Sequence, residues 1–551
     1  MHETPPPVPE SESSRRAPVL LGLLGLLLML PWLGARDLWN PDEPRYAEVA
    51  REMSVDGDYL VPHLNGEIYA QKPPLFFWSI DAAAGLLGRF DEWSVRLPSA
   101  LAGVGTILLV DALGRRLFTA RVGWIAALAY ATCFKVLWQA RVGQIDMLLA
   151  FLVALSAWLW VRGYQESSRV SYRLFFLAAG LATLAKGPVG LLPFLLSAVA
   201  YLWVSDEKSE IRAMQIGRGL LLWAAPVAAW LAAATAQAGT GYLREMVLTQ
   251  NLTRYFSPGS TAVMSGHVSP WYHYLTTLPV DFLPWSFLLP AALWVPAREG
   301  SWRRSAGFRF AVCWTVVPLV FFSLSAAKRS VYLLPMFPAL ALLVAHHFDT
   351  VARTGRRHRL ALVAPLGSVA ALFLAVAVLL PVEAGRRPAV AALGAELPTI
   401  VAVLLAALGV CAAAGAWTAS RGRSGSQRRA AGRRHGPYAR TVGAGLAAAA
   451  RPDPSSRRAR RQALLERLGP DEVRRLSEDR RASLFYMRRL AHLLPDAEAL
   501  RRYPSEGGRW SRGARRRPLR GRGSADSKRL SRPQADEGVA LLKLIPPQVN
   551  R

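Results

Sequence analysis

Long uncharged hydrophobic runs recur along the chain up to about residue 420, separated by short polar segments. The clearest runs cover residues 19–33, 97–110, 122–138, 147–161, 220–236 and 401–416. Each run approaches the ~20 residues that a helix needs to cross the hydrocarbon core of a bilayer. The runs are uniformly rich in Leu, Ala and Val, without the alternation of a barrel strand. Because a backbone inside the bilayer must satisfy its own hydrogen bonds, the pattern predicts an all-α polytopic membrane protein.

We assign twelve transmembrane helices to the chain, or thirteen if one more follows them. The run at 18–34 comes after Arg15 and Arg16. No small-residue cleavage site follows it, so we interpret it as a retained signal anchor. The predicted spans are 18–34, 97–117, 122–138, 145–162, 173–186, 188–204, 217–238, 272–296, 308–325, 330–347, 359–381 and 397–418.

The positions of Arg and Lys predict which side of the bilayer each loop occupies. Basic residues in short loops favour the cytoplasm, and nearly all inner loops are basic if residues 1–17 form a cytoplasmic, disordered N-terminal segment. The segments left outside are 35–96, 139–144, 239–271 and 382–396, with tight turns at Lys186-Gly187-Pro188 and Lys328-Arg329. The short apolar stretch Pro73–Gly88 is then expected to be an amphipathic helix at the outer interface.

This orientation gathers polar residues from six separate parts of the chain on the outer side. A random scatter of charges would rarely sort in this way, so the arrangement indicates a functional surface. The residues concerned are Asp42, Glu43, Lys72, Asp146, Lys186, His267, Lys328 and Tyr332.

The net charge of +29 describes the C-terminal region more than the membrane body, because most of it lies after Arg421. We expect residues 421–551 to form a basic region that is partly helical and then disordered. Binding to anionic inner-leaflet lipid suits it better than nucleic acid, for which it lacks a motif. A shifted reading frame in a GC-rich gene would give the same Arg-rich composition. The three Cys residues all lie in apolar runs, which excludes a disulfide framework.

The first outer segment contains a carboxylate pair, Asp42 and Glu43, at the start of an amphipathic helical pattern. Pro44 suits the first turn of such a helix. Taken alone, the two carboxylates are interpreted more readily as helix caps. The alternative is a general base, or a carboxylate that holds a substrate hydroxyl, at the membrane surface.

A turn is predicted at Leu64-Asn65-Gly66, and an aromatic-rich interfacial segment follows from Tyr69. Lys72 lies where the polar loop meets this segment. Its side chain could extend to lipid headgroups, or it could act as a point charge that binds a phosphate at the interface.

Taken in order, these elements resemble the first periplasmic loop of a known superfamily, the bacterial aminoarabinose transferases and protein O-mannosyltransferases. The matching elements are Asp42–Glu48, Gly57-Asp58-Tyr59, Leu64-Asn65-Gly66 and Lys72-Pro73-Pro74, and the resemblance extends to about residue 350 and more loosely to 420. It implies a GT-C membrane glycosyltransferase domain at 18–420, similar to glycosyltransferase families 39 and 83. Such an enzyme would take a sugar from an undecaprenyl-phosphate donor at the periplasmic face of a bacterial inner membrane. Lipid A, a protein or a glycan would be the acceptor.

The resemblance also implies roles for individual residues. Asp42 and Asp146, the latter in Val142-Gly143-Gln144-Ile145-Asp146, match catalytic-cavity positions. Lys72 and Arg254 match cations near the carrier phosphate. The other implied substrate contacts are Glu43, Arg45, Tyr46, His267, Lys328 and Tyr332. Ordinary explanations remain open: interfacial solvation for Asp146, a solvated loop charge for Arg254, and interfacial anchoring for Lys328 and Tyr332.

Two departures from the aminoarabinose transferase pattern affect the expected metal content. This chain has Gln71 where those enzymes have Glu, and Asn251 where they have His, which leaves His267 as one imidazole beside two amides. Such a set is a poor transition-metal site. We therefore predict no bound zinc and no other cofactor.

Two rival functions belong to other classes. A transporter or flippase of lipid-linked substrates also needs many spans, but transporters usually show internal repeats and charges deep within spans. The sequence shows neither. A purely structural membrane scaffold would not explain the polar residues gathered on one side.

Overall fold

The computed structural model describes residues 12–39, 41–253, 269–325, 327–354 and 360–386, with short pieces at 409–410 and 413–414. These residues all belong to the first of two compact units, Met1–Tyr486. The described part is helical except for one two-stranded hairpin. Residues 1–11 of the predicted N-terminal segment 1–17, the predicted region 421–551 and nearly all of the predicted span 397–418 lie outside the described residues, whereas residues 12–17 belong to a helix.

The elements up to the middle of the chain are α1 (Glu12–Met29), α2 (Asp42–Asp56), β1 (His63–Leu64), β2 (Glu67–Ile68), α3 (Leu75–Leu87), α4 (Glu92–Leu117), α5 (Ala120–Ala131), α6 (Phe134–Ala140), α7 (Ile145–Glu166), α8 (Arg169–Lys186), the 3-10 turn Pro188–Gly190 and α9 (Leu192–Val204). The later elements are α10 (Ser209–Ala213), α11 (Ile216–Ala238), α12 (Thr240–Arg244), the π-helix Glu245–Thr253, α13 (His273–Asp281), the 3-10 turn Trp285–Leu288, α14 (Leu289–Arg298), α15 (Ser301–Arg304), α16 (Ala306–Leu324), the 3-10 segment Ser330–Met336, α17 (Phe337–Thr354) and α18 (Leu360–Arg386).

Among the described residues, 6 helices are long and apolar enough to cross a membrane, or up to 8 if each of two bent pairs forms one span. The predicted spans 97–117, 145–162, 217–238, 308–325, 330–347 and 359–381 fall on the long helices. Of the other predicted spans that the structure describes, 122–138 and 272–296 fall on bent pairs, and 18–34, 173–186 and 188–204 fall on α1, α8 and α9. The chain is thus an all-helical polytopic membrane protein, whereas the number of twelve or thirteen spans stays a prediction.

Two predicted spans are bent pairs instead of straight helices. The run 122–138 divides into α5 and α6 with a bend of 65°, and the run 272–296 divides with a bend of 113° between α13 and Trp285–Arg298. Pro284 lies in the second break and lacks the N–H that would continue the helix. A hydrogen bond connects the two breaks, because the Phe134 amide donates to the Leu283 carbonyl at 2.8 Å. Irregular backbone at membrane depth needs protein partners of this kind.

Close packing between α4 and α5 depends on glycines. A Cβ on Gly114 would lie 2.4 Å from the Cα of Gly123. Small residues of this kind let two membrane helices approach closely. Together with α7 and α17, both mostly buried, this pair forms the apolar core.

The first outer segment folds as α2, a hairpin and α3. Asn65 (φ 61) and Gly66 (φ 79) form its two-residue turn, as predicted, in the register His63↔Ile68 and Leu64↔Glu67. A turn with positive φ at both central residues matches the twist of the strands. Glu52 of α2 accepts hydrogen bonds from the Asn65 and Gly66 amides at 2.9 and 3.2 Å, which fixes the hairpin on the helix. α3 has 13 residues, which is too few to span a bilayer. This length agrees with the interfacial position predicted for Pro73–Gly88.

Candidate active site

The start of α2 brings two adjacent carboxylates into the protein interior. The helix begins at Asp42 with Pro41 at the cap position, and no side chain caps it. The interpretation of Asp42 and Glu43 as caps is therefore wrong. Asp42 is 6% exposed and Glu43 is 0% exposed. Carboxylates buried this deeply need donors or cations around them.

Glu43 is surrounded by framework donors. Its Oε1 accepts from Arg96 Nε at 2.7 Å and from the Gly143 amide at 2.6 Å. Its Oε2 accepts from Arg96 Nη2 at 2.9 Å, Arg36 Nη1 at 2.9 Å and the Trp39 amide at 2.6 Å. Burial raises the pKa of Glu43, but the hydrogen bonds and charge of Arg96 outweigh it and the pKa is lowered. We call Glu43, Arg96, Arg36, Trp39 and Gly143 the Glu43 clamp.

Arg96 completes the clamp from the first turns of α4. Its guanidinium also donates to the carbonyls of Leu33, Arg36 and Asp37 at 2.7, 2.9 and 2.8 Å, so it holds the chain that leads into α2. Gly143 has to be a glycine here, since a Cβ would lie 2.6 Å from Val95 Cγ1. The contacts give Glu43 an architectural position, and the substrate contact expected from the resemblance stays a prediction.

Asp42 faces a different set of groups from its neighbour. Its Oδ2 accepts from Gln144 Nε2 at 3.0 Å and from Arg329 Nη2 at 3.2 Å. Arg45 Nη1 lies 3.6 Å from Oδ1. Three distant parts of the chain therefore meet at this carboxylate, and Oδ1 has only the longer contact with Arg45 among the contacts the structure gives.

Asp146 lies in the first turn of α7, two residues after Gln144. It forms an ion pair with Lys186, the last residue of α8. The Lys186 ammonium also lies 4.5 Å from the centroid of the Tyr332 ring. The sequence-predicted residues Asp146 and Tyr332 are thus both in contact with Lys186, and their catalytic and substrate-binding roles stay predictions.

Arg329 connects the two acidic residues. Burial lowers the pKa of Arg329, but the charges of Asp42 and Asp146 outweigh it and the pKa is raised. Two carboxylates and two cations therefore share one cluster. We call Asp42, Asp146, Lys186 and Arg329 the charge quartet.

Tyr46 lies beside the quartet on α2. It is 5% exposed, and its ring packs 5.9 Å from that of Phe76 and 5.7 Å from that of Phe77. Burial, followed by the charge of Asp42, raises the pKa of Tyr46 well above its usual value. Its hydroxyl therefore stays protonated and can donate a hydrogen bond.

The predicted lysines occupy different places. Lys72 is half-buried directly before α3. Lys328 donates to the carbonyls of Ser269 and Ser325 at 3.0 and 2.5 Å, and burial lowers its pKa. The neighbouring residue Arg329, not Lys328, reaches Asp42. Arg254 and His267 lie outside the described residues, so their predicted roles stay predictions.

An apolar recess begins next to the quartet. Tyr332 lines it, together with Leu149 and Val153, which follow Asp146 along one face of α7. Its other lining residues are Val189, Pro193, Phe194, Trp314, Pro318, Phe322, Pro335 and Met336. The recess has a volume of about 20 Å³, room for about one water molecule, so it is an apolar boundary of the site and not a channel for a hydrocarbon chain.

The structure places no candidate metal ligands together in the part of the chain it describes: no group of three or more His, Cys, Asp or Glu side chains could hold an ion. His267 and the Asn251 side chain are outside this part. The absence of zinc therefore remains a prediction.

Sequence reasoning placed Lys186 on the outer side but did not select it, and it passed over Gln144, Arg96 and Arg329. Lys186 and Arg329 each occupy a predicted tight outer turn between two spans, where an ionisable residue is a functional candidate. Arg96 directly precedes a predicted span. The signal for all three was a cation at the end of an apolar run.

Known proteins resemble the chain in sequence. Residues 71–235 match the family model described as dolichyl-phosphate-mannose-protein mannosyltransferase. A relative from Erwinia tasmaniensis, an undecaprenyl phosphate-alpha-4-amino-4-deoxy-L-arabinose arabinosyl transferase, is 32% identical over 347 residues, covering 62% of this chain and 61% of the relative. The protein of that name from Pseudomonas aeruginosa PAO1 is 32% identical over 343 residues, covering 61% and 60%. The chain spans about three-fifths of the length of these curated relatives.

Solved structures share the fold. The crystal structure of ArnT from Cupriavidus metallidurans bound to undecaprenyl phosphate has a TM-score of 0.61 and 25% identity, covering 73% of this chain and 72% of that chain. Its apo form has a TM-score of 0.55 and 24% identity, covering 75% and 78%. The resemblance found in the first outer loop is therefore confirmed at the level of the fold.

Proposed function

We propose an activity for this chain from two similarities. Residues 71–235 match the dolichyl-phosphate-mannose-protein mannosyltransferase family, and the fold resembles the GT-C fold of an aminoarabinose transferase. The protein is an integral membrane glycosyltransferase that moves a sugar from an undecaprenyl-phosphate donor to an acceptor. The transfer takes place at the periplasmic face of a bacterial inner membrane. Lipid A, a protein or a glycan serves as the acceptor.

The observation that carries this proposal is the charge quartet itself, which brings the start of α7, the end of α8 and Arg329 to Asp42. The quartet offers two carboxylates and two cations to a polar group. Apolar side chains adjoin the quartet beyond Tyr332. A sugar joined through phosphate to a long isoprenoid chain has this same division into a charged and an apolar part.

Asp42 is the proposed base. The acceptor oxygen attacks the anomeric carbon of the sugar, the bond from that carbon to the phosphate oxygen breaks, and undecaprenyl phosphate leaves with the electron pair. The acceptor hydroxyl proton passes to Asp42 Oδ1, since Oδ2 already accepts from Gln144 and Arg329. An acceptor that is already an ionised phosphate gives no proton, and Asp42 then orients it.

The other residues bind and orient. Asp146, fixed by Lys186, accepts hydrogen bonds from sugar or acceptor hydroxyls, and Tyr332 lies over the Lys186 ammonium. Lys72 and Arg254 hold the carrier phosphate and stabilise the charge that develops as it leaves.

The test uses the purified full-length chain in liposomes with undecaprenyl phosphate-alpha-4-amino-4-deoxy-L-arabinose and other undecaprenyl-phosphate sugars, each labelled in the sugar. Lipid A, peptide and glycan acceptors are supplied in turn. We expect labelled acceptor to form together with free undecaprenyl phosphate. Movement of intact labelled donor across the bilayer, with no labelled acceptor from any pair, would contradict a transferase and support a flippase.

A further inference from the structure

Arg329 is held more firmly than a surface arginine at a turn. The Tyr274 hydroxyl donates to its carbonyl at 3.4 Å. The residue before it, Lys328, bonds to Ser269, and the residue after it, Ser330, accepts from Lys135 Nζ at 2.8 Å. Arg329 and its two neighbours are thus hydrogen-bonded to α13, to α6 and to the segment before α13.

An ion pair between Lys135 and Asp281 stabilises these contacts. Lys135 Nζ lies 3.4 Å from Asp281 Oδ1, and Asp281 is 8% exposed. Both residues lie beside the helix breaks described above, where the Phe134 amide bonds to the Leu283 carbonyl. The two bent helix pairs therefore meet at the place from which the Arg329 side chain extends to Asp42.

The quartet needs this second cation. Two carboxylates in one buried site repel each other, and positive charge close by offsets that repulsion. Lys186 pairs with Asp146 and Arg329 pairs with Asp42, so each carboxylate has a cation from a distant part of the chain. Gln144 holds Asp42 from a second direction, since Nε2 donates to the same Oδ2 that accepts from Arg329. Oδ1 is left with the longer contact to Arg45, at 3.6 Å.

We propose that Arg329 is a positioning residue: it fixes the Asp42 carboxylate so that Oδ1, whose contact with Arg45 is the longer one at 3.6 Å, faces the acceptor. This inference rests on the proposed function. Arg329 acts through Asp42 and does not itself bind the carrier phosphate. Its contribution therefore belongs to turnover and not to donor affinity.

The experiment compares Arg329→Gln, Arg329→Lys and Asp42→Asn with the double variant Arg329→Gln/Asp42→Asn, in liposomes and under single-turnover conditions. We expect Arg329→Gln to lower kcat about 100-fold, the size of loss that a misplacement of about 1 Å can cause, with the donor KM changed less than about 3-fold. Arg329→Lys keeps the charge but not the fork of donors, so it should recover most of that loss. In the Asp42→Asn background, Arg329→Gln should lower kcat less than about 3-fold further, because residues that act as a unit are not additive.

Arg353→Gln is the matched control. Arg353 pairs with Asp349 one turn away and its side chain is 68% exposed, so we expect unchanged kcat and KM. A donor KM raised about 10-fold or more by Arg329→Gln, or an equal loss of kcat with and without Asp42, would overturn the inference. Absence of sugar transfer by the wild-type chain with every donor would instead contradict the proposed function, on which the inference depends.

Discussion

Asp42 and Glu43 are neighbours in sequence, yet they belong to two regions of opposite character. In the Glu43 clamp, framework donors surround both oxygens of a 0% exposed carboxylate. In the charge quartet, Asp42 has two donors on one oxygen, a longer contact on the other, and an apolar recess close by. Burial and ion pairing are common to both regions. Unused hydrogen-bonding capacity on a buried carboxylate is what indicates function.

The largest effect that would separate the two regions is on stability. Glu43→Gln leaves the Arg96 guanidinium without its anion in a fully buried site, and breaking a buried pair in this way costs about 3–5 kcal/mol. Since Cys133 and Cys313 are free and buried, reaction with a thiol dye during heating measures the loss. Glu166→Gln is the control, because Glu166 pairs with exposed arginines and should change stability by less than about 1 kcal/mol. Equal melting of Glu43→Gln and wild type would contradict the clamp.

The stability that the Glu43 clamp contributes also depends on pH. The pKa of Glu43 is lowered by its partners, chiefly Arg96, against the effect of burial. A lowered pKa means that the folded protein favours the ionised form, so this stabilisation is present at neutral pH. It is lost as the pH falls from the usual value of a glutamate toward the lowered one. The wild-type chain should therefore lose stability on acidification more steeply than Glu43→Gln.

A change within the quartet should act on turnover instead. Lys186→Met keeps an apolar stem against the Tyr332 ring but removes the cation beside Asp146. We expect kcat to fall about 100-fold, as for the loss of one preorganised charge in an active site. Lys208→Met, whose side chain is 54% exposed and pairs with Asp206, is the matched control. Full activity of Lys186→Met would remove Lys186 from the site.

The smallest expected effect comes from a change at Gly143. This residue connects the two regions, because it belongs to the clamp and precedes Gln144 of the site. A Cβ at position 143 would lie 2.6 Å from Val95 Cγ1 and 3.0 Å from the Val95 carbonyl oxygen. Gly143→Ala should therefore lower stability by about 1–3 kcal/mol, the usual cost of overpacking, and lower turnover as well. Gly85→Ala has open space around it and should do neither. A Gly143→Ala variant that melts like wild type would contradict the close contact between positions 143 and 95.

The sequence predicted the features that depend on local pattern. Hydrophobic runs located the long helices, and Asn65-Gly66 located the hairpin turn, because helix length and positive φ are set by neighbouring residues. The bends in 122–138 and 272–296 were not predicted, since they depend on each other through Phe134 and Leu283.

The site was predicted in part for the same physical reason. The ordered motifs of the first loop pointed to Asp42, and the end of a span pointed to Asp146. Arg96 and Arg329 reach their carboxylates across 53 and 287 positions in sequence, and only the packing of the helices decides such pairs. Lys328 and Arg329 are adjacent cations, and hydropathy could not tell which of them turns toward Asp42.

The most direct test of the central claim is sugar transfer by Asp42→Asn, measured per folded molecule in membranes supplied with a labelled lipid-linked sugar. Asp81→Asn is the control, because Asp81 lies in the same outer segment and bonds to Tyr59. We predict that Asp42→Asn lowers transfer about 1,000-fold, within the range that a general base contributes, while Asp81→Asn transfers sugar like wild type. Undiminished transfer by Asp42→Asn would contradict the account.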